Sequence, residues 1–249
     1  MRVLLIAIIL FPHIMMGQKK EKILFVGNSF TFYWNLPSQV EKMGEEQNIY
    51  WEVTQSTAGG ATLKDHWHSN KGLKTQEILS QTTFDRIIFQ DQSTYPIKFI
   101  DTTEQYLSKF KALIPIQTKV YLYATWMYPN FPIEGEFSND SIGIESNLET
   151  ILKQFPEIEI IPVGRAFDFF SSLYPEINLL TDDAKHPSHN GTYLAACVIY
   201  STLSRQSSKG LERRYEGKDS NDKKIYYSIV EKTVATRCQA IADQIVFYN

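Results

Sequence analysis

Short apolar runs alternate with amphipathic stretches along the chain from residue 22 onward. The apolar runs are typical of buried strands and cover residues 23–26, 51–55, 86–90, 119–124 and 158–163. Apolar positions at helical spacing predict helices over residues 36–47, 73–80, 103–113, 146–154, 190–203 and 228–247, with a polar connection over residues 207–222. Because strands that alternate with helices form parallel sheets, the pattern predicts a three-layer α/β/α sandwich around a five-stranded parallel sheet.

The turns that follow the predicted strands are the expected place for a functional site, because an open parallel sheet binds its ligand beyond the carboxyl ends of its strands. The residues at these positions are Gly27, Asn28 and Ser29 after the first strand, Gly59 and Gly60 after the second, Asp91, Gln92 and Ser93 after the third, and Trp126 after the fourth. Function is therefore sought at this edge of the sheet.

The composition is that of an ordinary globular protein. Of the 249 residues, 43% are hydrophobic and 21% are charged, which excludes a disordered or fibrous chain. The formal net charge is -3 and the 25 basic residues are spread along the sequence, so nucleic acid is not an expected partner. One domain over residues 18–249 is long enough to bury a full core without disulfides or a metal.

Residues 1–17 have the pattern of a secretory signal peptide. An early Arg2 precedes an apolar run over residues 3–10, and the small residue Gly17 comes directly before a polar stretch. The apolar run is too short for a comfortable transmembrane helix, so we expect export and no stable membrane insertion once the leader is removed. The alternatives are a first buried strand or an uncleaved anchor.

Neither the cysteines nor the neighbouring histidines predict a metal site. Cys197 and Cys238 lie in apolar helical patterns, where a disulfide and two buried thiols are equally compatible with the sequence. His66 and His68 are two residues apart, so on a helix they point to different sides, and no third ligand is evident. We therefore expect no metal and no organic cofactor.

Ser29 is the first candidate for chemistry. It follows a buried strand at the point where the chain turns toward a helix, so its hydroxyl is expected at the rim of the sheet, near backbone amides that could face an oxyanion. A serine in this place is also a common helix cap or turn residue. The Gly-x-Ser-x-Gly pattern of the other large class of α/β esterases is absent here.

His186 is the candidate base for that serine, since a serine hydroxyl is a weak nucleophile until a base removes its proton. Asp183 precedes His186 by three residues, close enough for its carboxylate to hold the second ring nitrogen and fix the tautomer. Pro187 prevents an early helix, so this loop is expected at the rim directly before the helix over residues 190–203. The alternative is a solvated loop imidazole beside a turn carboxylate.

Short blocks at opposite ends of the chain resemble those of the SGNH (GDSL-like) hydrolases. Residues 27–30 (GNSF) are similar to the first block of that family, and residues 183–187 (DAKHP) are similar to its last block, in which Asp and His lie three residues apart. Residues 60–62 (GAT) resemble the second block. The resemblance spans residues 22–203 and implies a flavodoxin-like fold and ester hydrolysis by a serine nucleophile.

The resemblance also implies a role for particular residues. Ser29 would be the nucleophile, His186 its base and Asp183 the partner of the base. The implied oxyanion donors are the backbone amides of Ser29 and Gly60 together with the side chain of Gln92.

The third block departs from the family pattern. The family usually has Gly-x-Asn-Asp after the third strand, with the Asn as the third oxyanion donor, whereas this chain has Gln90, Asp91, Gln92 and Ser93. Gln92 stands at the Asn position and carries the same donor on a longer arm, with Gln90 as the alternative donor. Together with residues 59–67 (GGATLKDHW), this variant block resembles a branch of the family found in exported bacterial proteins.

Several residues near these turns are candidates for substrate contact. They are Asn28, Asp65, Trp67, Gln90, Trp126 and Tyr128. Trp126 and Tyr128 lie past the end of the fourth strand, where an aromatic ring could stack on a sugar. Tyr121 and Tyr123 share one face of that strand and are expected in the core.

These features predict a monomeric serine esterase that removes a short acyl group, chiefly acetyl, from a carbohydrate outside the cytoplasm. The ester chemistry depends on the Ser, His and Asp residues, whereas the sugar depends on family analogy, export and the aromatic rim. Two alternatives remain. One is a lipase, thioesterase or acyltransferase with the same residues, and the other is a carbohydrate-binding protein on a hydrolase scaffold without activity, of which the unusual Gln92 would be the sign.

Overall fold

A five-stranded parallel sheet forms the centre of the protein. The computed structural model describes residues 20–129, 131 and 141–248, and the predicted leader over residues 1–17 lies outside them. The strands are β1 (Glu21–Gly27), β2 (Trp51–Thr57), β3 (Arg86–Phe89), β4 (Lys119–Tyr123) and β5 (Glu159–Ile161). They pair in the order β2-β1-β3-β4-β5, and every pair is parallel. The predicted α/β fold with five parallel strands is confirmed.

Helices cover both faces of this sheet. They are α1 (Ser29–Phe32), α2 (Leu36–Glu46), α3 (Leu63–Trp67), α4 (Thr75–Gln81), α5 (Tyr95–Lys98), α6 (Ile100–Lys111), α7 (Ile142–Leu152), α8 (Val163–Leu173), α9 (His189–Ser204) and α10 (Lys232–Phe247). Helices α2, α8, α9 and α10 contribute to the core on one face, and α3 to α7 pack on the other. Among the described residues, no helix is both long and apolar enough to cross a bilayer.

The three central strands β1, β3 and β4 are apolar on both faces because both of their faces are covered. In β1, Ile23 and Phe25 point into the α2/α8/α9/α10 layer, whereas Leu24 and Val26 point into the α3–α7 layer. Successive side chains of a strand alternate between faces, so a doubly covered strand reads as a continuous apolar run. Tyr121 and Tyr123 lie together in the core of the first layer, which confirms their predicted placement.

Helix α8 was not among the elements predicted from the sequence. Its buried residues Val163, Ala166, Phe167 and Phe170 have helical spacing, so the signal was present in the sequence. The short apolar run of β5 stands directly before it, and the strand prediction over residues 158–163 took in the first residue of the helix.

An antiparallel hairpin also replaces part of a predicted connection. Strands β6 (Arg214–Lys218) and β7 (Lys224–Ile229) pair with each other outside the main sheet. The predictions of a polar connection over residues 207–222 and of a helix from residue 228 are therefore wrong at this point, and α10 begins only at Lys232. The hairpin buries few side chains, Tyr215 and Ser228 among them, so it lacks a long apolar pattern.

Candidate active site

Ser29 and His186 are brought together at the carboxyl edge of the sheet, although 157 residues separate them in sequence. Ser29 is the first residue of α1, directly after β1, and Asn28 caps this helix through a hydrogen bond from the amide of Phe30. The Ser29 Oγ and the His186 Nε2 are 2.9 Å apart, within hydrogen-bonding distance. The hydroxyl is thus next to a group that can accept its proton.

Asp183 holds the other side of the imidazole. Its Oδ2 lies 2.6 Å from the His186 Nδ1, and its Oδ1 accepts hydrogen bonds from the backbone amides of Lys185 and His186, each at 2.9 Å. Ala184, which follows Asp183, has a left-handed backbone with φ +54°, and this conformation costs about 1 kcal/mol for a residue with a Cβ. The bond from the His186 ring, reinforced by these amides, holds the pKa of Asp183 well below its ordinary value.

Aromatic rings enclose the imidazole of His186. Tyr33 stacks on it with 4.4 Å between ring centroids and 9° between ring planes, and Phe30 meets it edge-on at 5.6 Å. These contacts restrict rotation of the ring and keep its Nε2 directed at Ser29. Tyr33 was not singled out from the sequence, although its position four residues after Ser29 was a usable signal.

The turns after β1, β2 and β3 are linked by buried hydrogen bonds. The Asn28 Nδ2 donates to the Ala61 carbonyl at 3.0 Å, and the Asn28 amide donates to the Gln90 Oε1 at 2.9 Å. Thr31 also donates to that Oε1, while the Gln90 Nε2 donates to the Asp91 carbonyl. Asn28 and Gln90 are buried and committed to these bonds, so the predictions that they contact substrate, and that Gln90 could supply an oxyanion donor, are wrong.

Gln92 has a different arrangement. Its Oε1 accepts hydrogen bonds from the amide and the hydroxyl of Thr94, at 2.8 Å and 2.5 Å, which fixes the side chain. Within the described residues its Nε2 donates to no protein group, and neither do the backbone amides of Ser29 and Gly60. Since β1 lies between β2 and β3, the turns that carry these three donors are neighbours at one rim.

Asp91 fixes the turn that carries Gln92. Its Oδ1 accepts from the amides of Leu63 and Gln92, at 2.9 Å and 2.8 Å, and its Oδ2 accepts from the Thr103 hydroxyl at 2.6 Å. These bonds join the starts of α3 and α6 to the turn after β3. Burial raises the pKa of Asp91 to about 6, although the three hydrogen bonds oppose that rise. This positioning role was not predicted from the sequence.

Trp126 does not form part of an exposed rim. It is 1% exposed and lies between two rings, with Phe30 at 4.5 Å and Phe167 at 4.1 Å, while its Nε1 donates to the Lys185 carbonyl. The prediction that Trp126 stacks on substrate is therefore wrong, because Phe30 and Phe167 already cover the two sides of its ring. Tyr128 is only partly buried and remains at the rim, with the Lys185 ammonium 5.3 Å from its ring centre.

Asp65 and Trp67, two of the predicted substrate contacts, are partly buried and have structural partners in the protein. Asp65 forms a capping box with Thr62 at the start of α3 and an ion pair with Lys71 at 3.2 Å. Trp67 packs edge-on against Phe110 of α6. Both side chains therefore fasten α3 to its neighbours.

The two histidines considered for metal binding contact different parts of the protein. The His66 ring is buried and lies 2.7 Å from the Thr75 hydroxyl and 3.1 Å from the Gly27 carbonyl, whereas His68 contacts Tyr106. In the described part of the chain, no three His, Cys, Asp or Glu side chains are grouped so that they could hold a metal ion. The cysteines, left open by the sequence, are free and buried thiols at positions 197 and 238.

Comparisons with known proteins agree with this architecture. Neither a protein-family model nor a curated protein matches the sequence. A solved DUF4886 family protein from Bacteroides uniformis is 17% identical, with a TM-score of 0.72 over 92% of this chain and 96% of that chain. A protein assigned to the SGNH hydrolases, from Slackia heliotrinireducens, is 22% identical, with a TM-score of 0.58 over 74% of this chain and 100% of that chain. An acetyl xylan esterase is 15% identical, with a TM-score of 0.56 over 73% and 99%. The chain therefore has the fold of the SGNH hydrolases.

Proposed function

We propose that this protein is a serine esterase that hydrolyses short-chain acyl esters, chiefly acetyl esters of carbohydrates. The observation that carries the proposal is the continuous line of hydrogen bonds from the Ser29 hydroxyl through the His186 ring to the Asp183 carboxylate. Such a line activates a hydroxyl as a nucleophile without a metal or an organic cofactor.

In the first half of the reaction, His186 takes the proton of Ser29 as the Ser29 oxygen attacks the ester carbonyl. Asp183 stabilises the imidazolium that forms. The tetrahedral intermediate collapses when His186 returns that proton to the alcohol oxygen, the carbon–oxygen bond to the alcohol breaks, and an acyl-enzyme on Ser29 remains. Water, deprotonated by the same imidazole, then attacks the acyl group, and release of the acid restores the Ser29 hydroxyl.

The oxyanion requires donors that are not already used inside the protein. The backbone amides of Ser29 and Gly60 and the Nε2 of Gln92 meet this condition at adjacent turns. Gly60 has φ +59°, a conformation that a residue with a Cβ adopts only with strain. The Gln92 side chain, held by Thr94, therefore takes the place of the Asn that the family uses.

Two observations support the substrate class. An acetyl xylan esterase has a similar fold, and the partly buried Tyr128 stands at the rim of the site. A panel of esters with acyl chains of increasing length tests this part of the proposal. We expect kcat/KM to be highest for acetyl esters, whereas a maximum at long chains would indicate a lipase.

Ser29→Ala tests the chemistry itself. Acetate release from mono-O-acetylated disaccharides is expected to fall by about 10⁴-fold or more, because the nucleophile is lost while the fold remains. Ser172→Ala is the matched control, since this serine is exposed on α8 and is expected to leave the rate unchanged. Wild-type turnover by Ser29→Ala would falsify the mechanism, and failure of an organophosphonate to label Ser29 would favour a binding protein without activity.

A further inference from the structure

A row of aromatic rings leads away from His186, and the rings beyond Tyr33 have no part in the mechanism above. Tyr33, Trp34 and His189 form what we call the aromatic ledge. Tyr33 stacks on the His186 ring at 4.4 Å, and Trp34 meets Tyr33 edge-on at 6.3 Å. The His189 ring lies 3.8 Å from that of Trp34. The ledge therefore begins at the proposed base and extends beyond it.

The backbone at Trp34 is strained. Trp34 has φ 50° and ψ 35°, and Asn35 has φ 56° and ψ 41°, so two consecutive residues with side chains are left-handed. This conformation costs about 1–2 kcal/mol for a residue such as Trp and less for Asn. Despite this cost, the Trp34 side chain remains 38% exposed. Strain of this kind persists only where the surroundings impose it, and it is concentrated at binding sites.

Three parts of the protein impose the conformation of this turn. Gln39 of α2 donates from its Nε2 to the carbonyl of Trp34 at 2.7 Å and to the carbonyl of Tyr227 in β7 at 2.8 Å. The indole Nε1 of Trp34 donates to the carbonyl of Pro187 at 2.8 Å. Helix α2, the β6–β7 hairpin and the His186 loop thus hold the indole in one orientation, in which the residue is partly exposed.

The position of the ledge indicates which part of an ester it would contact. His186 reaches Ser29 from the layer of α9, whereas Gly60 and Gln92 stand at turns that continue into the α3–α7 layer. The base returns its proton to the departing alcohol, so that alcohol must lie beside the imidazole. An alcohol group beside the imidazole is also next to Tyr33, the first ring of the ledge, while the proposed oxyanion donors stand on the side of the other layer.

We infer that the aromatic ledge binds a sugar ring as the alcohol part of the substrate, stacked on the exposed part of the Trp34 indole. The inference rests on the proposed function. A sugar ring has an apolar face for the indole and hydroxyl groups for polar neighbours, and the exposed neighbours here are Asn35 and His189. A long-chain alcohol would need an extended apolar groove instead.

The test compares two acetyl esters that differ only in the alcohol. Mono-O-acetylated disaccharides reach the ledge, whereas the ethanol part of ethyl acetate is too short to do so. Trp34→Ala is expected to lower the ratio of kcat/KM for the disaccharide ester to kcat/KM for ethyl acetate by about tenfold, mainly through KM. Trp34→Phe is expected to retain most of the ratio, and Tyr248→Ala, which removes an exposed aromatic side chain at the end of α10, is expected to leave it unchanged.

The outcomes separate this inference from the proposed function. If Trp34→Ala lowers kcat/KM equally for both esters, the indole only positions the His186 loop, and the inference is wrong. An unchanged ratio overturns it as well. If Trp34→Ala does not fold, His189→Ala provides the same comparison, because it removes the ring that lies against Trp34. His189→Ala is likewise expected to lower the ratio of kcat/KM for the disaccharide ester to kcat/KM for ethyl acetate. A failure of the proposed function is recognised independently, by full activity of Ser29→Ala on both esters.

Discussion

At the residue scale, two glutamines two positions apart have opposite tasks. Gln90 uses both ends of its amide inside the protein, where it joins the turn after β1 to the turn after β3. Gln92 uses only its oxygen and keeps its amide nitrogen free of protein acceptors within the described residues. An amide with a committed oxygen and a free nitrogen is a fixed hydrogen-bond donor, which is what an oxyanion needs.

This difference gives the first prediction. Gln92→Leu is expected to lower kcat by about 10²-fold with little change in stability, because it removes one proposed oxyanion donor. Gln90→Leu is expected to lower the free energy of unfolding by about 2 kcal/mol, because it leaves the buried donors of Asn28 and Thr31 without an acceptor. Ester kinetics and urea unfolding of both variants measure the two effects. Wild-type kcat in Gln92→Leu would show that another group faces the oxyanion.

At the scale of elements, the junction of β1 and α1 depends on close packing. Gly27 ends β1, and a Cβ there would lie 2.3 Å from the Thr31 Oγ1 and 2.7 Å from the Gln90 Oε1. Both contacts are far inside the normal separation, so no side chain fits between the strand and the hydrogen bonds that hold the Ser29 turn. Helix α1, which carries Ser29, can therefore pack this close to β1 only because residue 27 is a glycine.

Gly27→Ala is the corresponding prediction. The added methyl group must displace Thr31 or Gln90, so we expect the free energy of unfolding to fall by about 1–3 kcal/mol and kcat/KM to fall with it. Gly59→Ala is the matched control, because a Cβ at Gly59 has no atom within 4 Å, and its free energy of unfolding is expected to change by less than about 0.5 kcal/mol. Equal stability of the two variants would contradict the packing argument.

At the scale of the whole molecule, two buried groups give opposite contributions to the pH dependence of stability. Burial lowers the pKa of His66 from 6.5 to about 4, so the unfolded chain binds the additional proton as pH falls through this range, and stability is lost. Burial raises the pKa of Asp91 from 3.8 to about 6, so here the folded chain binds the proton first, and stability is lost as pH rises. The two slopes oppose each other between about pH 4 and pH 6.

Removing His66 separates the two contributions. Between pH 7 and pH 4.5, the free energy of unfolding of the wild type is expected to fall by about 2–3 kcal/mol more than that of His66→Gln. The reason is that the unfolded chain takes up a proton on His66 in this range, whereas the folded chain keeps the ring neutral. The free energy of unfolding by urea measures this at each pH, and the ring resonances of His66 are expected to titrate near pH 4. His68→Gln serves as the control, because His68 is exposed. A pH-independent difference for His66→Gln would contradict the buried neutral ring.

The sequence by itself determined the order and type of most elements. Apolar runs and helical spacing are local properties, because the central strands are covered on both faces and helices such as α6 and α8 bury one face. Ser29, Asp183 and His186 were candidates from local patterns, a serine after a strand and an Asp-x-x-His loop before a helix, and the resemblance to the SGNH hydrolases supplied their proposed roles. The errors in secondary structure were local as well: the sparse pattern of the β6–β7 hairpin gave too little signal, and the helical spacing of α8 was overlooked.

Only the tertiary structure decided which side chains near the site are free. Four side chains near the site are of types common in binding surfaces, yet each has a hydrogen bond or ring contact with a residue 30 or more positions away in sequence. They are Asn28, Gln90, Trp67 and Trp126. Trp34, in contrast, is held in a partly exposed position. Its indole donates to the Pro187 carbonyl, and its own carbonyl accepts from Gln39, which also donates to Tyr227. Burial and hydrogen-bond commitment depend on long-range contacts, which no short sequence pattern contains.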